Sequence, residues 1–101
     1  MVIVHASIRV KKGKIEEFLK QFKAFAVKVR KEQGCIEYFP AVDVDAGLSS
    51  QILNENVVTI IEKWEDLETL RDHLAGPHMQ AYREHVKDIV EDVSLRILQE
   101  A

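Results

Sequence analysis

The sequence has little cysteine, proline, glycine or tryptophan. Its one cysteine, Cys35, excludes an internal disulfide framework and fits a reducing compartment, so a cytoplasmic protein is expected. With two prolines and four glycines among 101 residues, no linker or low-complexity segment interrupts the chain, and we expect one domain over residues 1–101. No apolar run is long enough to span a membrane.

The chain also lacks a large excess of charge of either sign. Fourteen Lys and Arg residues against 17 Asp and Glu residues give a formal net charge of -3. This balance gives no electrostatic reason to expect nucleic acid or an anionic membrane as a partner. With 47% hydrophobic and 31% charged residues, the composition is that of an ordinary globular domain.

Hydrophobic periodicity predicts four strands and three helices. Period-two alternation or β-branched runs predict strands over 2–10, 35–42, 57–65 and 94–99. Helical spacing predicts helices over 14–32, after the capping residue Asp66, and from Pro77 onward. Residues 43–47 are typical of a turn, and 48–56 are ambiguous. The order β-α-β-β-α-α-β predicts an α+β fold, a ferredoxin-like split βαβ with an antiparallel sheet.

Both faces of the predicted sheet carry apolar residues. The strand from residue 57 places Val57 and Ile61 on one side and Val58 and Ile60 on the other. The last strand likewise places Leu95 and Ile97 opposite Leu98. Helices can cover only one face of such a sheet, so the other face needs a second cover. We therefore expect a symmetric homodimer in which two sheets pack together.

An acid, an indole and two imidazoles fall close together around the third strand and the two helices after it. Glu62 and Trp64 share one face of the strand. The apolar stripe of the following helix consists of Leu67, Leu70 and Leu74, and His73 is expected at its edge. His78 follows Pro77 in the first turn of the next helix. This arrangement indicates a pocket where a strand end meets a helix–helix junction.

Three strings around these residues resemble the antibiotic biosynthesis monooxygenase family of dimeric α+β barrels. They are E-x-G-C-I-x-Y from Glu32, I-E-K-W-E from Ile61 and H-L-x-x-P-H-M-x-A-Y from His73. The resemblance covers nearly the whole chain. Within that family, the sequence is similar in particular to the quinol monooxygenases. It implies oxidation of a quinol or polycyclic phenol by O₂ to the quinone, with no metal, flavin or other cofactor.

Such a reaction needs a base, hydrogen-bond donors and a flat apolar slot. His78 is expected to be the base, because a helix N-terminus favours the neutral imidazole. His73 and Glu62 are the further catalytic candidates, Glu62 as the residue that orients a histidine. The candidate substrate-binding residues are Trp64, Tyr82, Met79 and Ala6.

Each candidate also has a structural interpretation. His78 could be a surface residue, and Trp64 could belong only to the core. Glu62 could be an ion-pair partner, and Tyr82 could pack without donating. The two histidines at 73 and 78 are five residues apart across a Gly-Pro break, whereas two metal ligands on one helix are usually four apart, so no metal site is expected.

Other functions stay open at this point. An isomerase of a small phosphorylated signalling molecule would need a cationic clamp, for which Arg71 and Arg83 are the candidates. A dimer that only binds a small aromatic molecule would use the same pocket without catalysis. A haem-degrading branch of the superfamily carries an Asn and a His where Ala6 and Arg83 stand here, so haem is disfavoured.

Overall fold

The computed structural model describes residues 1–101. In chain order the elements are β1 (Val2–Val10), α1 (Ile15–Val29), β2 (Cys35–Ala41), β3 (Val57–Trp64), α2 (Leu67–Ala75), α3 (Pro77–Val86) and β4 (Val90–Leu98). The strands form one antiparallel sheet in the order β2-β3-β1-β4, which confirms the predicted ferredoxin-like α+β fold. None of the helices is both long and apolar enough to cross a bilayer.

The core lies between one face of the sheet and the helices. Alternate residues of β1 and β3 point into it because side chains alternate across a strand. Helix α1 meets them with one buried row. The buried residues of these three elements are Val2, Val4, Ala6, Ile8, Val10, Phe18, Phe22, Ala26, Val29, Val58, Ile60, Glu62 and Trp64. Glu62 is the one acid in this set.

Two predicted boundaries are wrong. Strand β4 begins at Val90 rather than at residue 94, because Asp92 already pairs across the sheet with Arg9 of β1. Helix α1 ends at Val29 rather than near residue 32. The chain then turns through residues 30–34 towards the start of β2. That turn proves to carry a residue of the site.

The open face of the sheet, which is the face that no helix covers, is partly apolar, as predicted for β3. Val57 and Ile61 are half-buried there although no helix covers them. The last strand also carries apolar residues on both faces, as predicted: Leu95 and Ile97 lie on the helix-facing side, and Leu98 lies on the open face. Leu95 and Ile97 are exposed, at the margin of the helical layer.

The turn between α1 and β2 is packed closely against the start of α2. Gly34 has a φ of +84°, and a Cβ atom at this position would lie 2.5 Å from the side chain of Thr69. Its carbonyl accepts a hydrogen bond of 2.9 Å from the backbone N–H of Glu65. Thr69 cannot move aside freely, because it forms a capping box with Asp66. The absence of a side chain at Gly34 therefore lets the turn reach α2.

Replacing Gly34 with alanine is expected to destabilise the protein more than replacing Gly13. Both glycines have a positive φ, +84° and +80°, so both substitutions carry strain of roughly 1–2 kcal/mol. Nothing lies within 4 Å of a Cβ at Gly13, which makes Gly13→Ala the matched control. Urea unfolding should show an additional loss of roughly 1–2 kcal/mol for Gly34→Ala, from the displaced cap. Equal losses would contradict the proposed close packing.

Candidate active site

An apolar cavity of about 260 Å³ lies between the helices and the helix-facing side of the sheet. Ten of its 12 lining residues are hydrophobic. The full set is Ala6, Ile8, Phe22, Tyr38, Ile60, Glu62, Leu74, Met79, Tyr82, Arg83, Val93 and Leu95. Val93 and Leu95 are exposed, so the cavity opens along β4. Of the residues predicted to bind substrate, Ala6, Met79 and Tyr82 line it.

Glu62 is a carboxyl group in this otherwise apolar space. Its side chain is buried, with 5% of the residue exposed, and its Oε1 accepts a hydrogen bond of 2.9 Å from Nε1 of Trp64. Burial raises the pKa of Glu62 to about 7, the Trp64 bond opposes that rise, and the charge of Glu32 adds to it. A carboxyl group with this pKa exchanges a proton readily near neutral pH.

Two tyrosines share the cavity with Glu62. Tyr38 stands directly opposite Glu62 on the neighbouring strand, and Tyr82 comes from α3. Burial, and after it the charge of Glu62, raise the pKa of both phenols, so both stay protonated and can donate a hydrogen bond. Tyr38 was not predicted. It is the last residue of the E-x-G-C-I-x-Y string, which is the signal that could have identified it.

Trp64, which was expected to bind substrate, does not line the cavity. The indole is fully buried, because Trp64 lies two residues further along β3 than Glu62, where α2 covers it. It stacks on the imidazole of His73, with ring centroids 4.6 Å apart and an interplanar angle of 29°. Its contribution to the cavity is the hydrogen bond that it donates to Glu62.

His73 lies at the centre of the inward face of α2 rather than at its edge. Only 2% of the residue is exposed, and Leu70 is buried beside it. Leu67, which was expected in the apolar stripe, is 45% exposed. The stacking of His73 on Trp64 turns this face of the helix towards the sheet. His73 therefore packs against the buried indole without lining the apolar cavity.

Glu32 joins the two histidines, and sequence reasoning missed it. Its Oε1 lies 3.0 Å from Nδ1 of His73, and its Oε2 lies 2.7 Å from Nδ1 of His78. The side chain of His78 is 38% exposed and borders a polar cleft outside the apolar cavity. Glu32 opens the string that ends at Tyr38, but no local pattern connects it with residues 41 and 46 positions later.

The protonation of His73 follows from its partners. Burial lowers the pKa of His73, and the hydrogen bond to Glu32 works against that fall. In the neutral ring Nδ1 carries the proton and donates it to the carboxylate, an assignment based on the hydrogen-bond partner. Nε2 is then a buried acceptor without a partner. An unpaired buried polar atom costs about 1–3 kcal/mol. The hydrogen bond to Glu32 therefore has to offset the cost of burying Nε2 without a partner.

Of the two arginines considered for a phosphate clamp, only Arg83 lines the cavity. It donates from Nη2 to the carbonyl oxygen of Leu74 at 3.1 Å. Arg71 does not line the cavity, so a clamp of two arginines for a phosphate group is not formed there. No cluster of three or more His, Cys, Asp or Glu side chains is arranged to hold a metal ion.

Comparison with known proteins agrees with this architecture. "Probable quinol monooxygenase YgiN" of Escherichia coli K12 is 42% identical over 101 residues, covering 98% of this chain and 97% of the relative. A conserved protein of Methanosarcina mazei superposes with a TM-score of 0.84 at 23% identity, covering 99% of this chain and 92% of that one. Rv0793 of Mycobacterium tuberculosis does so with a TM-score of 0.80 at 20% identity, covering 99% and 94%. The two structures support the fold alone.

The family model described as "Antibiotic biosynthesis monooxygenase" matches residues 1–85. That range includes Glu32, Glu62, Trp64, His73 and His78, which are the residues of the network around the cavity. Together with the 42% identity to YgiN over almost the full length of both chains, the match settles the membership. This chain belongs to the antibiotic biosynthesis monooxygenase family.

Proposed function

We propose that this chain is a monooxygenase that oxidises a small quinol or fused-ring phenol with O₂ to the quinone, without metal or flavin. The observation that carries the proposal is Glu62, a carboxyl group with a pKa of about 7 in an apolar cavity. A cavity of about 260 Å³ is slightly smaller than the usual range of ligand sites, roughly 300–1,000 Å³. It suits a flat substrate of one or two rings.

The reaction begins with removal of a phenolic proton. The resulting anion gives one electron to O₂, and the two radicals combine to form a C–O bond at a ring carbon that carries hydrogen. The hydroperoxide then loses water, which breaks the O–O bond and leaves one oxygen atom in the product. O₂ takes four electrons in total, two from converting the quinol to the quinone and two from oxidising the C–H position.

The lining residues suit these steps. Glu62 accepts the phenolic proton, since it is the carboxyl group inside the cavity. Tyr38 and Tyr82 donate to the developing oxyanion, and Arg83 balances its charge. The apolar walls exclude water from the anion and the radicals. Met79 and Ala6 are proposed to contact the rings of the substrate.

Neither His73 nor His78 lines the cavity. His78 lies outside the cavity, so direct proton abstraction by His78, as expected from the sequence, requires a substrate that reaches the polar cleft. His73 is buried behind the cavity wall. The geometry favours Glu62 over His78 as the base, and the roles of both histidines stay predictions.

Oxygen uptake by the dialysed, chelator-treated protein tests the function. With 1,4-naphthohydroquinone we expect O₂ consumption above the subtracted autoxidation rate. With ¹⁸O₂ one labelled oxygen atom should appear in the quinone product and the other in water. Formation of hydrogen peroxide without label in the quinone would make the protein an oxidase. Binding without O₂ uptake would leave the alternative of a non-catalytic dimer that binds aromatic molecules.

We also propose a symmetric homodimer. Support comes from the half-buried open face around Val57 and Ile61 and from exposed apolar residues in the segment between β2 and β3. The exposed large hydrophobics of that segment are Val42, Val44, Leu48, Ile52 and Leu53. Exposed apolar residues in such number favour an interface with a second chain. Analytical ultracentrifugation at micromolar concentration should give twice the chain mass of 11.6 kDa, and a clean monomer would contradict the proposal.

A further inference from the structure

Glu32 is held from two sides although it lies on an irregular turn. His73 of α2 engages its Oε1 at 3.0 Å, and His78 of α3 engages its Oε2 at 2.7 Å. The turn itself is anchored by the backbone bond between Gly34 and Glu65. A carboxylate with both oxygens occupied by rings from two helices has a fixed orientation. It does not line the apolar cavity.

A continuous chain of contacts leads from Glu32 to the cavity. The carboxylate bonds Nδ1 of His73, whose imidazole stacks on the indole of Trp64 at 4.6 Å. The indole in turn donates from Nε1 to Oε1 of Glu62 at 2.9 Å. Each member is at least partly shielded from solvent, and His73, Trp64 and Glu62 are all buried.

We propose that Glu32 is a positioning residue for the Glu62 carboxyl group and acts on it through His73 and Trp64. The inference rests on the proposed function for its catalytic meaning. Glu32 fixes the tautomer and the plane of His73, since only the Nδ1–H form can donate to it. The stacked imidazole then fixes the plane of the indole, and the indole N–H fixes the Glu62 oxygen that it contacts.

The charge of Glu32 has a second effect on the same carboxyl group. Two carboxylates close together disfavour each other's ionisation, and Glu32 accordingly contributes to the raised pKa of Glu62. The other titratable or charged side chains near Glu62 are Cys35 and Tyr38 on β2, His73 on α2, and Tyr82 and Arg83 on α3. Glu32 is thus the one other acid near Glu62, so its removal should lower the pKa of Glu62.

The indole N–H of Trp64 reports on this network without substrate. Trp64 is the only tryptophan of the chain, so a ¹H–¹⁵N spectrum contains one indole signal. Because that N–H donates to Glu62, its chemical shift should follow the ionisation of Glu62, with a midpoint near pH 7. In Glu32→Gln the midpoint should move to lower pH by roughly one unit, because the second negative charge is gone.

Kinetics on the same variants measure the positioning. Glu32→Gln should lower kcat by roughly 10- to 100-fold, as expected when a group that orients a reacting side chain is lost, with little change in KM. Glu37→Gln is the matched control, since it removes the same charge from an exposed strand position where Glu37 pairs with Lys63. It should leave both the midpoint and kcat at the wild-type values.

The outcomes separate the two proposals. If the wild type oxidises no quinol but the indole midpoint still moves in Glu32→Gln, the proposed function fails and the coupling stands. If the wild type is active and Glu32→Gln changes neither midpoint nor kcat, the positioning role is overturned. Should Glu32→Gln not fold, Glu32→Asp keeps the charge but shortens the arm. This variant should keep the wild-type midpoint of the indole titration but have a lower kcat. An unchanged kcat would overturn the proposal.

Discussion

Glu62→Gln is expected to lower kcat for quinol oxidation by roughly 10²- to 10⁴-fold, the usual effect of removing a positioned base. Glutamine keeps the size of the side chain and can still accept the hydrogen bond from Trp64 Nε1. It cannot accept a proton near neutral pH. The loss should therefore fall on kcat, while KM and the circular dichroism spectrum stay close to those of the wild type.

The pH dependence gives this substitution a second readout. In the wild type, kcat/KM should rise with pH and level off with an apparent pKa near 7, because only the ionised Glu62 accepts the proton. In Glu62→Gln that rise should be absent, and the residual rate should follow the ionisation of the quinol itself. Autoxidation must be subtracted at each pH, since it also increases as the quinol ionises.

Comparison with His78→Gln decides between the two candidate bases. If Glu62 is the base, His78→Gln acts only through the contact of His78 with Glu32, and its effect should stay within roughly tenfold. If His78 is the base, the large loss should appear in His78→Gln and the small one in Glu62→Gln. Wild-type kcat in Glu62→Gln across the pH range would remove Glu62 from the mechanism.

Sequence periodicity was sufficient to predict the sheet and to place Glu62 and Trp64 on the same strand face. It could not tell which of them borders the cavity. Alternate residues of a strand are about 7 Å apart, so only one of two neighbours on a face need reach a small cavity. Here Glu62 lines the cavity, and helix α2 covers Trp64.

The histidines show a second limit of sequence reasoning. Their positions in α2 and α3 follow from the cap at Asp66 and the proline at 77, and the structure has both helices where they were predicted. The rotation of each helix about its axis depends on tertiary contacts. The stacking of His73 on Trp64 and the contact of His78 with Glu32 set that rotation, and neither is a local property of the sequence.

Glu32 was missed for the same physical reason. It follows a helix whose end was predicted too late, at residue 32 instead of Val29, so it was placed in the last turn of that helix. Its true neighbours come from residues more than 40 positions away, and they meet it because Gly34 has no side chain to keep the turn from Thr69. A glycine at a positive φ is visible in a sequence as a turn, but its packing partner is not.

The stability of the wild type relative to Glu62→Gln is expected to fall by roughly 3 kcal/mol between pH 4 and pH 8. In the unfolded chain Glu62 has its ordinary pKa of 4.5, and in the folded protein burial raises that pKa to about 7. Between these values the folded state keeps a proton that the unfolded state has released. The unfolding free energy therefore decreases as pH rises through this window, and it levels off above pH 7.

Glu62→Gln isolates this contribution, because glutamine is neutral throughout the window. His73 has a lowered pKa and gives a slope of the opposite sign, but it is present in both proteins and cancels in the difference. Urea unfolding at fixed protein concentration, from pH 4 to pH 8, measures the difference directly. A difference that is constant with pH would mean that Glu62 ionises in the folded protein as it does in the unfolded chain. It would then be a permanent carboxylate with an ordinary pKa, too weak a base to deprotonate a quinol, and the proton would have to leave by another group.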